Sequence, residues 1–231
     1  MRKLASLAAA AIAVLAIGAA QAAPVVLTID DFNSPGATIF DTNPANNAIS
    51  ASGTYSDSTR TITHNLLSPG PNPSDCTFSC VKFGTTTFPT GQFKVANETA
   101  ADSTVTVSWN LAAGFVPVAA GSSFFFQVID SDGNPITADM SFNGKAFETL
   151  VIPGNTHDSD LFFAIPTAQL SDLNGGGTLM LTLNGVAGWD LALDSFGLTT
   201  PAATVPEPAS IALVSLGLLV AGAASRRRKV R

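Results

Sequence analysis

The stretch "STVTVSWN" (Ser103 to Asn110) alternates without a break, with Val105, Val107 and Trp109 on one side and Thr104, Thr106 and Ser108 on the other. A period of two fits a strand with one face buried and one exposed, and fits no helix. Such a strand needs a second layer to cover its apolar side. Glycine and proline punctuate the rest of the chain roughly every 8 to 12 residues, the spacing of a domain built from short strands. "SSFFFQVIDSDGNPITADMSFNG" reads as strand, turn, strand, with the break at Asp130 to Pro135. "GTLMLTLNGVAGWDLALDSFGLTT" reads as two further strands turning around Gly185 to Gly188. Only "PTAQLSDLNGGG" (Pro166 to Gly177) predicts a helix, a short one with Thr167 as its cap and a glycine stop. No repeat is visible, and no linker precedes "TTPAAT" at 199–204. The predicted fold is all-β, an antiparallel β-sandwich of jelly-roll type over residues 23–198.

The two ends of the chain are of another kind. Arg2 and Lys3 precede an apolar stretch from Leu4 to Ala20, and Ala20-Gln21-Ala22 supplies a small-x-small cleavage site. That is the pattern of a secretory signal peptide, residues 1–22. At the far end, Ile211 to Ala224 holds 14 residues without a charge, followed at once by Arg226, Arg227, Arg228, Lys229 and Arg231. A short apolar helix with a basic cytoplasmic flank predicts a stop-transfer anchor that leaves the preceding domain outside. Pro206 and Pro208 hold Val205 to Pro208 extended, as a protease active site requires.

"VPEPAS", the short apolar helix and the arginine-rich end together resemble the PEP-CTERM sorting signal of Gram-negative bacteria, over residues 205–231. The resemblance implies that Pro206, Glu207 and Pro208 are the recognition motif. It also implies an exosortase as the partner that processes the tail, and the cell surface or extracellular polysaccharide matrix as the destination. A second, looser resemblance links "LTIDDF" (Leu27 to Phe32) and "WDLALDSFGL" (Trp189 to Leu198) to the first and last strands of galactose-binding-like, carbohydrate-binding jelly rolls. It implies a structural calcium held by Asp30 or Asp31 together with Asp194. Read on their own, Asp30 and Asp31 also suit the plain role of ending a strand.

Removing both ends changes the charge balance. Seven of the 11 Lys and Arg residues lie in the termini, so Ala23 to Val205 keeps four cations against 16 of the 17 acids, a net charge of −12. A surface so short of cations excludes nucleic acid as a partner, because binding phosphates needs clustered Lys or Arg. Neutral glycans and divalent cations remain compatible.

Cys76 and Cys80 are the only cysteines, separated by three residues in "CTFSC". In an exported chain such a pair predicts a disulfide closing a small loop. A metal pair is the alternative, but His64 and His157 are both distant in sequence. "DSDGN" (Asp130 to Asn134) resembles part of a calcium loop yet lacks the distal glutamate, and its residues are those of a hairpin turn.

No nucleophile elbow, zinc helix or phosphate-cradling loop is present in the sequence. Asp158 and Asp160 are a carboxylate pair of the sort that sixteen acids produce by chance. Trp109 belongs to the core by its alternation, whereas Trp189 and Tyr55, near glycine-rich turns, are the aromatic residues expected at the surface. The expected function is non-enzymatic: an exported surface or matrix protein contributing to extracellular polymer structure, biofilm or adhesion. A carbohydrate-binding module is the alternative reading, and a secreted hydrolase the second.

Overall fold

Alternation in sequence becomes two layers in space. The computed structural model describes residues 25–33, 37–41, 44, 49–55, 58–69, 79–83, 91–97, 99–114 and 118–201. Among the described residues there are two sheets, one of them with seven strands. Its order is β11 (His157–Ala164), β8 (Ser123–Ser131), β13 (Leu191–Thr200), β6 (Phe93–Asn97), β5 (Ser79–Phe83) and β2 (Ala37–Phe40), with β1 (Val25–Asp30) also paired to β13. The other has six: β10 (Lys145–Ile152), β9 (Ile136–Phe142), β12 (Gly177–Gly185), β7 (Asp102–Leu111), β4 (Ser58–Ser68) and β3 (Ile49–Tyr55). Every pairing is antiparallel.

The core lies between the sheets and is filled from both. On β7 the buried set is Ser103, Val105, Val107, Trp109 and Leu111, as the alternation requires. Phe124, Phe126 and Val128 of β8 face them from the opposite sheet. Trp109 stacks on Phe196 with ring centroids 4.4 Å apart and also meets Phe126 at 6.3 Å. Each fully buried aromatic or aliphatic side chain contributes about 1.5–3 kcal/mol, so this seam holds the two layers together.

Both predicted strand-turn-strand stretches cross from one sheet to the other. β8 and β9 lie in different sheets, and so do β12 and β13. Pro135 lacks the N–H that a ladder back onto β8 would need. The segment 132–135 bonds elsewhere: Asn134 N donates to Asp132 Oδ1 at 3.0 Å, and Asn134 Nδ2 to the Gly188 carbonyl at 3.1 Å. "DSDGN" is therefore a turn, as expected, but an inter-sheet one. A true hairpin joins β9 to β10 through Asn143 and Gly144, whose φ angles of 49° and 76° suit a tight two-residue hairpin turn.

The predicted helix is present as a 3-10 turn, Thr167–Gln169, running into α1, Leu170–Asn174. Thr167 does not cap it. Pro166 takes the N-cap place and offers no side-chain bond. The glycine stop holds: Gly176 has φ +79°, and a Cβ there would lie 2.6 Å from the Ala113 nitrogen. β13 also runs further than expected. Thr199 and Thr200 pair with Val26 and Val25, and the compact unit spans Val25–Pro201.

The signal peptide, the sorting segment and Cys76 lie outside the described residues, and Cys80 is described only as backbone of β5. Among the described residues no helix is long and apolar enough to cross a membrane.

Candidate functional site

Of the residues expected to hold calcium, Asp30 is engaged in the core. β1 shifts register between Thr28 and Asp30, and Asp30 lies fully buried in the core. There Arg60 Nη1, from β4 of the other sheet, donates to both carboxylate oxygens at 2.7 Å. Trp109 Nε1 donates to Oδ2 at 2.8 Å, and Phe32 N to Oδ1 at 2.8 Å. The guanidinium also lies 5.6 Å from the centre of the Phe32 ring. A carboxylate that already neutralises a buried arginine cannot serve a calcium ion without stranding that arginine. Asp30 is therefore a structural anion. Asp31 accepts from Asn33 N at 3.0 Å in a local turn. Asp194 sits half-buried on β13, where the register shifts between Leu193 and Phe196. Among the described residues no three His, Cys, Asp or Glu side chains converge so as to hold a metal.

Trp189 corrects another expectation, since it is fully buried. Its Nε1 donates to the Ser103 carbonyl at 3.0 Å, and its own carbonyl accepts from Asn97 Nδ2 at 2.8 Å. The nearby glycine does not expose the ring but makes room for it. A Cβ on Gly185 would come within 2.6 Å of Trp189 Cγ. Asp190, next in sequence, has its carboxyl pushed up by burial, against the opposing effect of the Asn97 amide bonded to it at 2.6 Å. Tyr55 ends β3, and its side chain is outside the described residues. Asp158 and Asp160 stand exposed on β11, an edge strand.

Among the described residues, two aromatics other than those expected at the surface stand on an outer face. Phe125 and Phe162 face each other across β8 and β11 on the outward side of the seven-stranded sheet, with ring centroids 6.2 Å apart. Phe162 is 48% exposed. The same cross-strand row continues through Gly197 of β13 to Thr28 of β1. Gly197 has a reason to be there: a Cβ would lie 2.4 Å from the Phe125 ring and 2.6 Å from the Leu27 carbonyl. The Phe125 ring thus lies against bare backbone. The next row brings Gln127 opposite Asp160. The signal was present in "FFF" (124–126): in a strand whose outer two phenylalanines face the core, the middle one must face out. Phe162 in "LFFA" follows from its register with Phe125. An apolar plate edged by an amide, a carboxylate and hydroxyls suits a ligand with an apolar face and a polar rim.

By fold the protein is an antiparallel β-sandwich with an aromatic plate on one outer face. Residues 204–229 of its tail match the family model of the PEP-CTERM protein-sorting motif. No curated protein matches the chain. Among solved structures it is similar to the family 11 carbohydrate-binding module of a cellulosomal cellulase of Clostridium thermocellum, at 12% identity over 78% of this chain and 97% of that one, with a TM-score of 0.36. It is also similar to the module TmCBM61 in complex with β-1,4-galactotriose, at 14% identity over 48% and 71%, TM-score 0.31. A third is an exo-β-agarase, at 10% identity and TM-score 0.38, of whose length the match covers 24%.

Proposed function

We propose that this is an exported, non-enzymatic protein of the cell surface or extracellular matrix, sorted through its tail and processed there by an exosortase. The PEP-CTERM motif at 204–229 is the observation that carries this reading. The acidic, cation-poor domain accords with it, since such a surface stays soluble outside the cell and avoids nucleic acid. Extracellular polymer structure, biofilm or adhesion is the role that such an address serves. Protease shaving of intact cells tests the location: loss of the domain without lysis supports it, and full protection contradicts it.

A second reading is carbohydrate binding, favoured by the outward pair Phe125 and Phe162. A sugar ring offers an apolar C–H face to such a plate and hydroxyls to Gln127 and Asp160 beside it. Electrophoresis of the full chain through gels containing hydroxyethylcellulose, a neutral polyhydroxyl polymer, should retard the protein. The double variant Phe125→Ala/Phe162→Ala should be markedly less retarded than the wild type while keeping its melting temperature. Equal retardation of the two proteins would refute this site.

A further inference from the structure

The opposite outer face carries a different pattern. On the six-stranded sheet one cross-strand row reads Ser50, Thr63, Thr106, Thr182, Asp139, Thr149, one residue from each strand in register from β3 to β10. Neighbouring members are bonded: Ser50 Oγ to Thr63 Oγ1 at 2.8 Å, Thr106 Oγ1 to Thr182 Oγ1 at 3.5 Å, and Thr149 Oγ1 donating to Asp139 Oδ1. The row on one side places Thr61 opposite Ser108, and the row on the other places Thr104 between Asn65 and Asn184. None of these side chains is buried.

The outcome is a face rich in hydroxyls and amides, spaced about 4.8 Å between strands and about 6.6 Å along them, with Met180 and Val151 as its exposed apolar members. Asp139 is its one carboxylate, and these rows hold no cation. Threonine is well suited to such a surface. Its branched Cβ restricts χ1, so each hydroxyl and methyl is held in place before a ligand arrives and little entropy is lost on binding. An anionic ligand would find no counter-charge here and would meet Asp139. A neutral polyhydroxyl chain matches both the hydrogen-bonding capacity and the lack of charge.

We propose that this face is a second docking surface for neutral polysaccharide, so that the domain bridges two polymer strands. The proposal rests on the carbohydrate reading of Phe125 and Phe162. The two surfaces lie on opposite outward sides of a sandwich whose sheets pack about 10 Å apart face to face, so each is open to a strand of its own. A protein that grips one strand on each side is a cross-link, and its apparent affinity for a polymer exceeds that of either face alone.

The test uses the full chain in mild detergent with hydroxyethylcellulose, and alginate as the anionic control. Two readouts separate the claims: gel retardation for binding, and the storage modulus of the polymer solution for cross-linking. The wild type should be retarded and should raise the modulus with hydroxyethylcellulose but not with alginate. Thr106→Lys/Thr182→Lys, outward substitutions checked by an unchanged melting temperature, should lose the rise in modulus. That variant should still be retarded through the phenylalanine plate, with a lower apparent affinity as avidity is lost. Thr106→Val/Thr182→Val, which keeps the shape and the strand preference, should weaken the modulus in the same direction. If the lysine variant cross-links as well as the wild type, the second surface is disproved. Retardation of the wild type without any rise in modulus also overturns bridging and leaves the carbohydrate reading standing. No retardation of the wild type at all removes both.

Discussion

Asp30 of the first strand and Arg60 of the fourth are bound to each other inside the core, through two contacts of 2.7 Å, with both side chains excluded from water. The pair ties β1 of one sheet to β4 of the other, and Trp109 Nε1 and Phe32 N complete the carboxylate's bonds. Removing one partner leaves a buried charge uncompensated, at a cost of about 3–5 kcal/mol. Asp30→Ala should therefore lower the melting temperature by on the order of 10 °C. Asp30→Leu combined with Arg60→Met should recover most of that loss. A single Asp30→Ala that melts with the wild type would show the pair to be dispensable.

His64 gives the domain a pH dependence. It is fully buried on β4, and burial lowers its pKa to about 4, with Asp41 opposing in part. The unfolded chain binds the proton more readily than the folded one, so stability falls as pH drops from about 6.5 toward about 4. The loss comes to roughly 2 kcal/mol at pH 5, or about 4–8 °C in melting temperature. The carboxyls of Asp102 and Asp190 are pushed up by burial and act in the opposite sense, nearer the ordinary carboxylate range. His64→Leu should abolish most of the difference between melts at pH 5 and pH 7.5. An unaltered difference in that variant would assign the effect elsewhere.

Gly185 and Trp189 share one space. Gly185→Ala would set a Cβ 2.6 Å from Trp189 Cγ, and overpacking of this kind costs about 1–3 kcal/mol. Trp189 should move toward solvent, giving a red shift in tryptophan fluorescence along with the lower melting temperature. An alanine variant with unchanged emission and stability would contradict the packing of the Trp189 ring against Gly185.

How much of this was legible depends on how local the cause was. The strands of 103–110 and the two-layer fold follow from period-two alternation, which acts residue by residue. Whether a turn stays in one sheet or crosses to another is set by distant partners, such as Asn134 bonding to Gly188, and that escaped the sequence. Trp189 was misplaced for the same reason: glycine beside it reads as an open turn, while the structure uses it as a slot. The buried pairing of Asp30 could not be read from the sequence because its cation, Arg60, is thirty residues away. Phe125 could have been found from the triple phenylalanine alone. The hydroxyl-rich face could not, since it exists only once the register of six strands is known.

Calcium at the terminal strands would have to work with Asp31 and Asp194 but without Asp30. Two carboxylates supply few of the six to eight oxygens that the ion takes. Melts in EDTA and in millimolar CaCl₂ should therefore coincide within about 2 °C. A stabilisation on the order of 5–10 °C, erased by Asp194→Ala, would restore the metal and require the missing oxygens to come from backbone and water.

The export and sorting address is tested most directly by the intact mass of the protein recovered from the cell surface or medium. The account predicts a chain that lacks residues 1–22 and is cut near Pro206 to Pro208, carrying the whole sandwich to Pro201. A surface form that still ends in Arg226 to Arg231 would contradict processing at the motif, and recovery only of the full chain from the cytoplasm would contradict export itself.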